Sequence, residues 1–199
     1  PRHDALWYKT SLGREEIIRR AASLPLSKQF RQEYQYQNIM FTTAGEVVAK
    51  VSGQSWDDFV RDRIFTPLGM KSTTTRYADA VQSNDRAMPH RRLKDGRIAP
   101  IEWVNFDNIG GAGCINSCAR DLAEWARFQL RSPIVAETHL PHMVIRPDKR
   151  SRELAPASTQ VTYGLGWRIE HYRGEMLVAH AGALDGFRSS VTLVPARKL

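Results

Sequence analysis

Two polar side chains, Tyr36 and Asn38, stand directly before an apolar run that begins at Ile39. A phenol can take or give a proton, but its ordinary pKa is about 10, so a nearby cation must stabilise the phenolate before it acts as a base at neutral pH. An amide can hydrogen-bond a substrate carbonyl and a catalytic amine. Structural interpretations also remain open: Tyr36 as an aromatic residue that packs beneath a helix with Tyr34, and Asn38 as a helix N-cap.

A second polar group, His180 with Gly182, ends an apolar run that is typical of a β-strand. Alternation along the strand places the His180 ring on the face of Met176 and Val178. The missing side chain of Gly182 would let a ligand approach the backbone of an edge strand. A lone histidine in a strand is more often a hydrogen-bonded structural residue, so catalysis by His180 is a hypothesis from its context.

Helical periodicity predicts the elements around the tyrosine motif. Residues 14–22 should form a short amphipathic helix. A second helix is predicted from about 39 to 51, and a third should open at Ser55 as its N-cap and close near residue 70. The apolar residues of the second helix are expected to face a core: Ile39, Met40, Ala44, Val47, Val48 and Val51.

The middle of the chain mixes loops with one clear helix. Residues 71–108 predict long loops with short strands. A glycine-rich turn at 110–113 precedes a helix that Ser117 should cap. The turn has neither the P-loop lysine pattern nor a dinucleotide-binding fingerprint, so tight packing explains it better than phosphate binding.

The apolar runs and turn residues of the C-terminal part are typical of an antiparallel meander. Strands are predicted at 163–169, 175–180 and 188–194, with turns at 173–174 and 183–186. The last of these strands leaves a sheet edge that a complete fold would pair or cover.

Five short motifs in this order resemble the serine β-lactamase-like hydrolases, which include class C β-lactamases, penicillin-binding peptidases and related carboxylesterases. Independent short matches rarely fall in one family's order by chance. The motifs are Tyr-x-Asn at 36–38, Pro-Leu-Gly-Met at 67–70, Gly-Gly to Asp-Leu-Ala at 110–123, Tyr-Gly-Leu-Gly-Trp at 163–167 and His-x-Gly at 180–182.

The resemblance implies an α+β fold of the β-lactamase/transpeptidase type, in which an antiparallel sheet is flanked by helices and carries a mostly helical insertion. The predicted division assigns residues 1–155 to the insertion region with Tyr-x-Asn, and residues 156–199 to strands of the main sheet with His-x-Gly. The chain is expected to hold a truncated portion of that fold.

In the family that these motifs resemble, a Ser-x-x-Lys turn presents the nucleophile together with an amine. None of the serines in these 199 residues has a lysine three positions on, and the opening at Pro1 resembles the family's segment just after the nucleophile helix. We therefore expect an internal fragment, completed by an N-terminal segment that carries Ser-x-x-Lys or by a separate N-terminal piece.

The resemblance also implies the roles of the site residues. Tyr36 and His180 would be catalytic, and Asn38 and Gly182 would contact substrate. The backbone N–H of Ala183 would be the second oxyanion donor. The expected reaction proceeds through an acyl-enzyme on a small-molecule or peptide substrate.

The histidine of the third motif makes an ester or amide a better expected substrate than a β-lactam. In class C β-lactamases a lysine at this position holds a substrate carboxylate, and a neutral imidazole would bind a carboxylate less strongly. The fragment alone should be inactive. The alternative is a β-lactamase-like protein without catalysis, which serves in binding or scaffolding.

Other function classes fit the sequence less well. The formal net charge of +8 and the pI near 9.8 come from arginines interleaved with acids, which favours a solvated basic surface over a nucleic-acid site. We expect no membrane span, no cofactor and no metal; the compartment is open. His139 and His142 lack a third ligand, and Cys114 and Cys118 lack a second cysteine pair.

Overall fold

The computed structural model describes residues 3–199, which form seven helices and seven strands along with short 3-10 turns. The helices are α1 Arg14–Ala22, α2 Asn38–Ser52, α3 Trp56–Val60, α4 Thr66–Leu68, α5 Tyr77–Gln82, α6 Ala119–Arg131 and α7 Lys149–Leu154. The strands are β1 His90–Arg92, β2 Ile98–Pro100, β3 Met143–Val144, β4 Ser158–Tyr163, β5 Arg168–Tyr172, β6 Glu175–Leu184 and β7 Phe187–Leu193.

Packing divides the described chain into two compact units. The first holds residues 3–25, 36–124 and 183–188, and the second holds residues 26–35, 125–182 and 189–199. The predicted division of the chain after residue 155 stays a prediction. Within residues 3–199, none of the helices combines the length and apolar character that crossing a bilayer requires.

Two of the predicted helices are confirmed at their starts. Helix α1 occupies residues 14–22 and buries Ile17 completely, while acids fill its first turn and arginines its last, as the helix dipole favours. Ser55 is the N-cap of α3, and its hydroxyl accepts from the backbone N–H of Asp58 at 3.0 Å. A π-helical segment, Arg61–Phe65, then leads into α4.

Helix α2 extends one residue beyond the predicted 39–51 at each end, and the prediction of its buried face is right for Ile39 but wrong for most of the other apolar residues. It buries Ile39, Thr42 and Gly45. A Cβ added at Gly45 would lie 3.2 Å from the Trp56 ring, so the helix packs closely through small residues. Val48 is half-buried, whereas Met40 is 55% and Val51 84% exposed. Ala44 and Val47 are also exposed.

The core of the first unit joins α1 and α2 to the segments near Trp7 and Ile109. Its buried members are Trp7, Ile17, Ile39, Phe106 and Ile109. Trp7 packs edge-on against Phe106, with ring centroids 6.0 Å apart. Burial of these large side chains is the main stabilising term for this unit.

A partly buried cation, Arg14, connects elements of the same unit. The Arg14 guanidinium donates from Nη1 and Nη2 to both carboxylate oxygens of Asp57, at 2.7 and 3.1 Å, and from Nε to the carbonyl of Asp107 at 2.8 Å. Glu46 lies 3.7 Å away, and the Trp56 ring lies beneath the guanidinium. This pairing satisfies a charge that would otherwise be costly to bury.

The helix after the glycine-rich turn begins later than predicted. Helix α6 starts at Ala119, and the carbonyl of Cys118 accepts the first helical hydrogen bond from Leu122. Ser117 is therefore not its cap. The Ser117 hydroxyl lies 2.8 Å from the hydroxyl of Thr73 instead.

The sheet of the C-terminal part has the antiparallel order β3-β4-β5-β6-β7. The turn at Arg173-Gly174 is confirmed, with φ of 50° and 83°. The predicted strand 163–169 is wrong: β4 ends at Tyr163, and Gly164 donates to the carbonyl of Trp167 at 2.7 Å in a hairpin turn. Gly164 is needed because a Cβ there would lie 2.3 Å from the carbonyl oxygen of Thr138.

The second unit has its own core beneath this sheet. Trp167, Val178 and Leu193 are buried, and side chains of α6 pack against them. Met176 and Val178 both contribute to this cluster, and the placement of the His180 ring on their face stays a prediction. Strand β6 also continues to Leu184, four residues past the predicted end, so the turn that follows contains only Asp185 and Gly186.

Candidate active site

Tyr36 lies in the extended segment that enters α2. Its ring packs against Phe41, with centroids 5.7 Å apart. Burial raises the pKa of the Tyr36 phenol, and the negative charge of Asp4 raises it further. A phenol in this setting is neutral at pH 7, so the described residues around it do not activate it as a base.

Asn38 is the first residue of α2, but it is not the N-cap. Gln37 has that place, and its side-chain oxygen accepts from the N–H of Ile39 at 3.2 Å. Because Gln37 is the N-cap, the alternative interpretation of Asn38 as the N-cap of α2 is wrong. Its backbone carbonyl accepts from the Thr42 hydroxyl at 3.2 Å.

His180 pairs with a tyrosine of the Tyr-Gly-Leu-Gly-Trp motif. The Tyr163 hydroxyl lies 3.0 Å from His180 Nε2, and the two rings meet edge to face. Burial lowers the pKa of His180, and a hydrogen bond to the backbone of Ala181 opposes part of that effect. The imidazole is therefore neutral at pH 7.

Gly182 has a packing reason for lacking a side chain. A Cβ at this position would lie 2.3 Å from the Ser189 hydroxyl of β7. The close approach observed here is thus made by the neighbouring strand, and the hydroxyl would have to turn away if Gly182 became alanine. Ala183 follows in β6 and is exposed.

The turn at Asp185 and Gly186 is held by hydrogen bonds and an ion pair from residues that the sequence analysis did not identify. The Tyr8 hydroxyl donates to Asp185 at 2.7 Å, and Lys9 Nζ lies 3.3 Å from the same carboxylate oxygen. On its other side, His90 donates its backbone N–H to the carbonyl of Gly186 at 3.2 Å. No local pattern could reveal the Tyr8–Asp185 contact, because its partners are 177 positions apart.

Ala183 and this turn line a groove of about 1340 Å³ within the first unit. Aromatic rings of Tyr8, Trp103 and Phe106 form part of its wall, and charges of both signs are present, including Glu102 and Arg188. A concave surface with apolar walls and a few charged groups is typical of a small-molecule site.

The histidines and cysteines outside the motifs have separate local surroundings. His139 contacts Gln129 at 2.9 Å, and His142 contacts Glu137 at 3.1 Å. Burial raises the pKa of the Cys114 thiol to about 12, so it is unreactive at neutral pH. Over residues 3–199, no cluster of three or more His, Cys, Asp or Glu side chains could hold a metal ion.

The candidate residues are distributed over both units. Tyr36, Asn38 and Ala183 belong to the first unit, and His180 and Gly182 belong to the second. In the first unit, Tyr36 and Asn38 lie at the start of α2 and Ala183 lines the groove. In the second unit, His180 and Gly182 lie in the C-terminal part of β6.

Comparisons with known proteins give the family by sequence and the fold by structure. The family model described as Beta-lactamase matches residues 1–199. The unguisins hydrolase ungD' of Aspergillus campestris is 29% identical over 185 residues, which cover 91% of this chain and 34% of that protein. Penicillin-binding protein 4 of Amycolatopsis lactamdurans is 28% identical over 167 residues, covering 80% of this chain and 44% of that protein.

Solved structures share the fold. The octameric penicillin-binding protein homologue from Pyrococcus abyssi superimposes with a TM-score of 0.81 at 22% identity, over 94% of this chain and 42% of that one. A D-stereospecific amidohydrolase from Streptomyces sp. gives 0.76 at 21% identity, over 98% of this chain and 56% of that one. The predicted α+β fold of the β-lactamase/transpeptidase type is thereby confirmed.

The chain spans about a third of the length of the first curated relatives that it matches. Several of the proteins it is similar to are hydrolases by name, among them the unguisins hydrolase and the amidohydrolase. Because the family model matches along all 199 residues, the chain belongs to the Beta-lactamase family, a family of serine hydrolases.

Proposed function

We propose that this chain forms part of a serine hydrolase that works through an acyl-enzyme on an ester, amide or β-lactam. The observation that carries the proposal is the ordered pair of motifs, Tyr36 to Asn38 and His180 to Gly182, in a chain that matches the Beta-lactamase family throughout. The nucleophile would be a serine of a Ser-x-x-Lys segment outside these 199 residues.

In the proposed reaction Tyr36 moves a proton between the serine, the substrate and the lysine of that segment. Burial and Asp4 both disfavour the phenolate of Tyr36, so Tyr36 would be the proton carrier and the lysine would be the cation that stabilises its phenolate. Lowering a tyrosine pKa by three units takes about 4 kcal/mol of differential interaction, which a nearby ammonium can supply.

Substrate positioning is assigned to Asn38, His180 and Gly182, and oxyanion stabilisation to the backbone N–H of Ala183. Charge develops on the carbonyl oxygen in the transition state, and a fixed N–H at a strand end stabilises it. His180 is neutral at pH 7, so it suits a neutral ester or amide better than a substrate carboxylate. This favours esterase or peptidase chemistry over strong β-lactamase activity.

Labelling with a fluorophosphonate probe tests the proposal. The 199-residue chain should remain unlabelled, and a protein that joins it to a Ser-x-x-Lys segment should be labelled at that serine and hydrolyse a nitrophenyl ester. Adding the segment as a separate piece tests complementation. Stoichiometric labelling of a serine within the 199 residues contradicts the proposal.

A second candidate, binding or scaffolding without catalysis, is favoured by one observation: none of the serines in the chain is followed three residues on by lysine. The two candidates differ in the parent gene. A parent without Ser-x-x-Lys, which also resists the probe, would favour binding, whereas a labelled serine in that segment excludes it.

A further inference from the structure

The groove that Ala183 lines is bordered by two clusters of aromatic rings. In one cluster the Trp103 ring meets Tyr77 edge to face, with centroids 6.3 Å apart, and packs against Phe187 at 5.1 Å. Trp103 and Tyr77 line the groove, and Trp103 is half-buried. Because neighbouring rings already hold Trp103 in one orientation, a ligand can bind against it without ordering that side chain.

The second cluster contains Tyr8. Its ring stacks on Phe106, with centroids 6.5 Å apart, and meets Trp7 edge to face at 5.8 Å. All three residues line the groove, and Tyr8 keeps 40% of its surface exposed, whereas Trp7 and Phe106 are buried. The groove thus has fixed aromatic surface from two parts of the first unit, and such surface is typical of the walls of small-molecule sites.

The charged side chains of the wall favour a neutral ligand, because the two signs are balanced. Among the described residues that line the groove, the acids are Asp4, Glu102 and Asp185, and the bases are Lys9, Arg91 and Arg188. Some of these charges are engaged within the wall. Lys9 Nζ lies 3.3 Å from Asp185 and 5.2 Å from the centroid of the Tyr8 ring, and Arg188 donates to the carbonyl of Leu184 at 2.8 Å. A ligand with a net charge would find no excess of the opposite sign here.

Ala183 connects this groove to the proposed reaction. It lines the groove, and its backbone N–H is the proposed oxyanion donor. A substrate whose carbonyl oxygen contacts that N–H would place a neighbouring group in the groove. The acyl part of a substrate stays bound through both steps of an acyl-enzyme reaction, whereas the leaving group departs after the first. The acyl part is therefore the part that such a wall can select throughout the reaction.

We propose that the groove binds a neutral aromatic group in the acyl part of the substrate, with Trp103 as a residue that selects for it. The assignment to the acyl part rests on the proposed function. The preference of the groove for a neutral aromatic ring is a property of the chain itself. The substrate class is thus an ester or amide whose acyl part carries an uncharged aryl group.

The first test titrates the 199-residue chain with phenylacetamide and follows the backbone amides by ¹H–¹⁵N NMR. We expect saturable shifts at residues 101–106 and 183–186. Cyclohexylacetamide, which is similar in size but has no π-face, should bind about fivefold more weakly. Shifts confined to other residues, or equal binding of the two amides, overturn the proposal, and these results need no variant to fold.

Trp103→Leu tests the selecting residue in the same titration. This change removes the aromatic face but keeps an apolar side chain, so the fold should be retained and phenylacetamide should bind about fivefold more weakly. The matched control is Phe30→Leu, which changes an aromatic residue that is 85% exposed outside the groove. It should leave the affinity unchanged. Equal affinities of Trp103→Leu and the unsubstituted chain overturn the role of Trp103.

The second test measures turnover in the protein that carries the Ser-x-x-Lys segment. The nitrophenyl esters of phenylacetate and acetate share one leaving group, so the ratio of their kcat/KM values reports the acyl part alone. This ratio should fall about fivefold in Trp103→Leu and stay constant in Phe30→Leu. An unchanged ratio in Trp103→Leu overturns the assignment of the groove to the acyl part.

Two further outcomes separate this inference from the proposed function. No turnover of either ester, combined with phenylacetamide shifts at the groove, contradicts the proposed function and supports the aromatic site. Loss of phenylacetamide binding once the Ser-x-x-Lys segment is joined to the chain would show that the segment fills the groove, which overturns its role as a substrate site.

Discussion

The two motif regions differ in how complete they are within this chain. At the sheet end, His180 has its partner Tyr163 at 3.0 Å and a neutral ring. At the helix start, Tyr36 is packed against Phe41, and its phenol is held neutral by burial and by Asp4. The sheet region thus places a tyrosine hydroxyl against its histidine, whereas the surroundings of Tyr36 raise its pKa, and the proposed function requires a cation to lower it. In this chain, positioning and activation are separate properties.

The largest expected effect concerns that missing activation. In the protein that carries the Ser-x-x-Lys segment, Tyr36→Phe should lower kcat by about 10²- to 10⁴-fold, the usual contribution of a general acid or base. The fold should be retained, because the ring and its contact with Phe41 remain. Single-turnover kinetics with a nitrophenyl ester measure the effect. Wild-type acylation by Tyr36→Phe would remove Tyr36 from the mechanism.

The next effect concerns the framework of the first unit. Arg14→Gln should lower the free energy of unfolding by about 1–3 kcal/mol, because the partly buried carboxylate of Asp57 loses the two hydrogen bonds from the guanidinium and keeps the one from Thr75. Urea unfolding followed by circular dichroism measures the change. Arg19→Gln, which removes an exposed partner of Glu16, is the matched control and should leave the midpoint nearly unchanged. Equal effects of the two variants would contradict the structural role of Arg14.

A substitution of His180 can place a positive charge where the ring is neutral. His180→Lys should raise the preference for an ester with a carboxylate over a neutral ester with the same leaving group, by about fivefold, the upper size of a partly exposed ion pair. The ratio of the two kcat/KM values measures it. An unchanged ratio would show that this side chain does not contact the substrate at the carboxylate position.

The pH dependence of stability tests the ion pair of Arg14 in another way. Burial raises the pKa of Asp57, but the hydrogen bonds from Arg14 and Thr75 outweigh it, so the net pKa is lowered. The unfolded value is about 3.9. The stabilisation from this carboxylate is thus fully present above that value and is lost as the pH falls below it, through the folded value. Urea midpoints of the unsubstituted chain and Asp57→Asn, measured from pH 6 to pH 2.5, should converge at the acid end.

The smallest expected effect concerns the turn that carries Ala183. Asp185→Asn should speed hydrogen exchange at the amides of the turn after Ala183, because the contacts with Tyr8 and Lys9 weaken. The fold and the rest of the exchange pattern should be unaffected, since these contacts are exposed. Mass spectrometry of peptides covering residues 183–188 measures the change, and Asp95→Asn in an exposed loop is the control.

Local signals in the sequence predicted what depends on neighbours along the chain. Helix α1, the Ser55 cap and the turn at Arg173-Gly174 follow from residue order alone, and each is confirmed. The order of the motifs also gave the family and the fold. These features need no knowledge of what packs against them.

Features set by tertiary packing could not be predicted in this way. The buried face of α2 is decided by the close approach of Trp56 to Gly45, which moves the larger apolar residues outward. The prediction of one strand through Gly164 is wrong because β4 ends just before this residue. The carbonyl of Thr138 lies so close to Gly164 that a side chain would not fit there. The Tyr163–His180 contact requires the register of three strands.

The close contact between Gly110 and the partly buried Arg14 limits which substitutions these two positions accept. A Cβ at Gly110 would lie 2.1 Å from Arg14 Cζ, so the guanidinium occupies the volume that any larger residue needs. A larger residue at Gly110 must therefore displace the guanidinium from its contacts with Asp57, unless Arg14 is also replaced. A double-mutant cycle should therefore show strong epistasis, with Gly110→Ala costing far less in an Arg14→Gln background than alone.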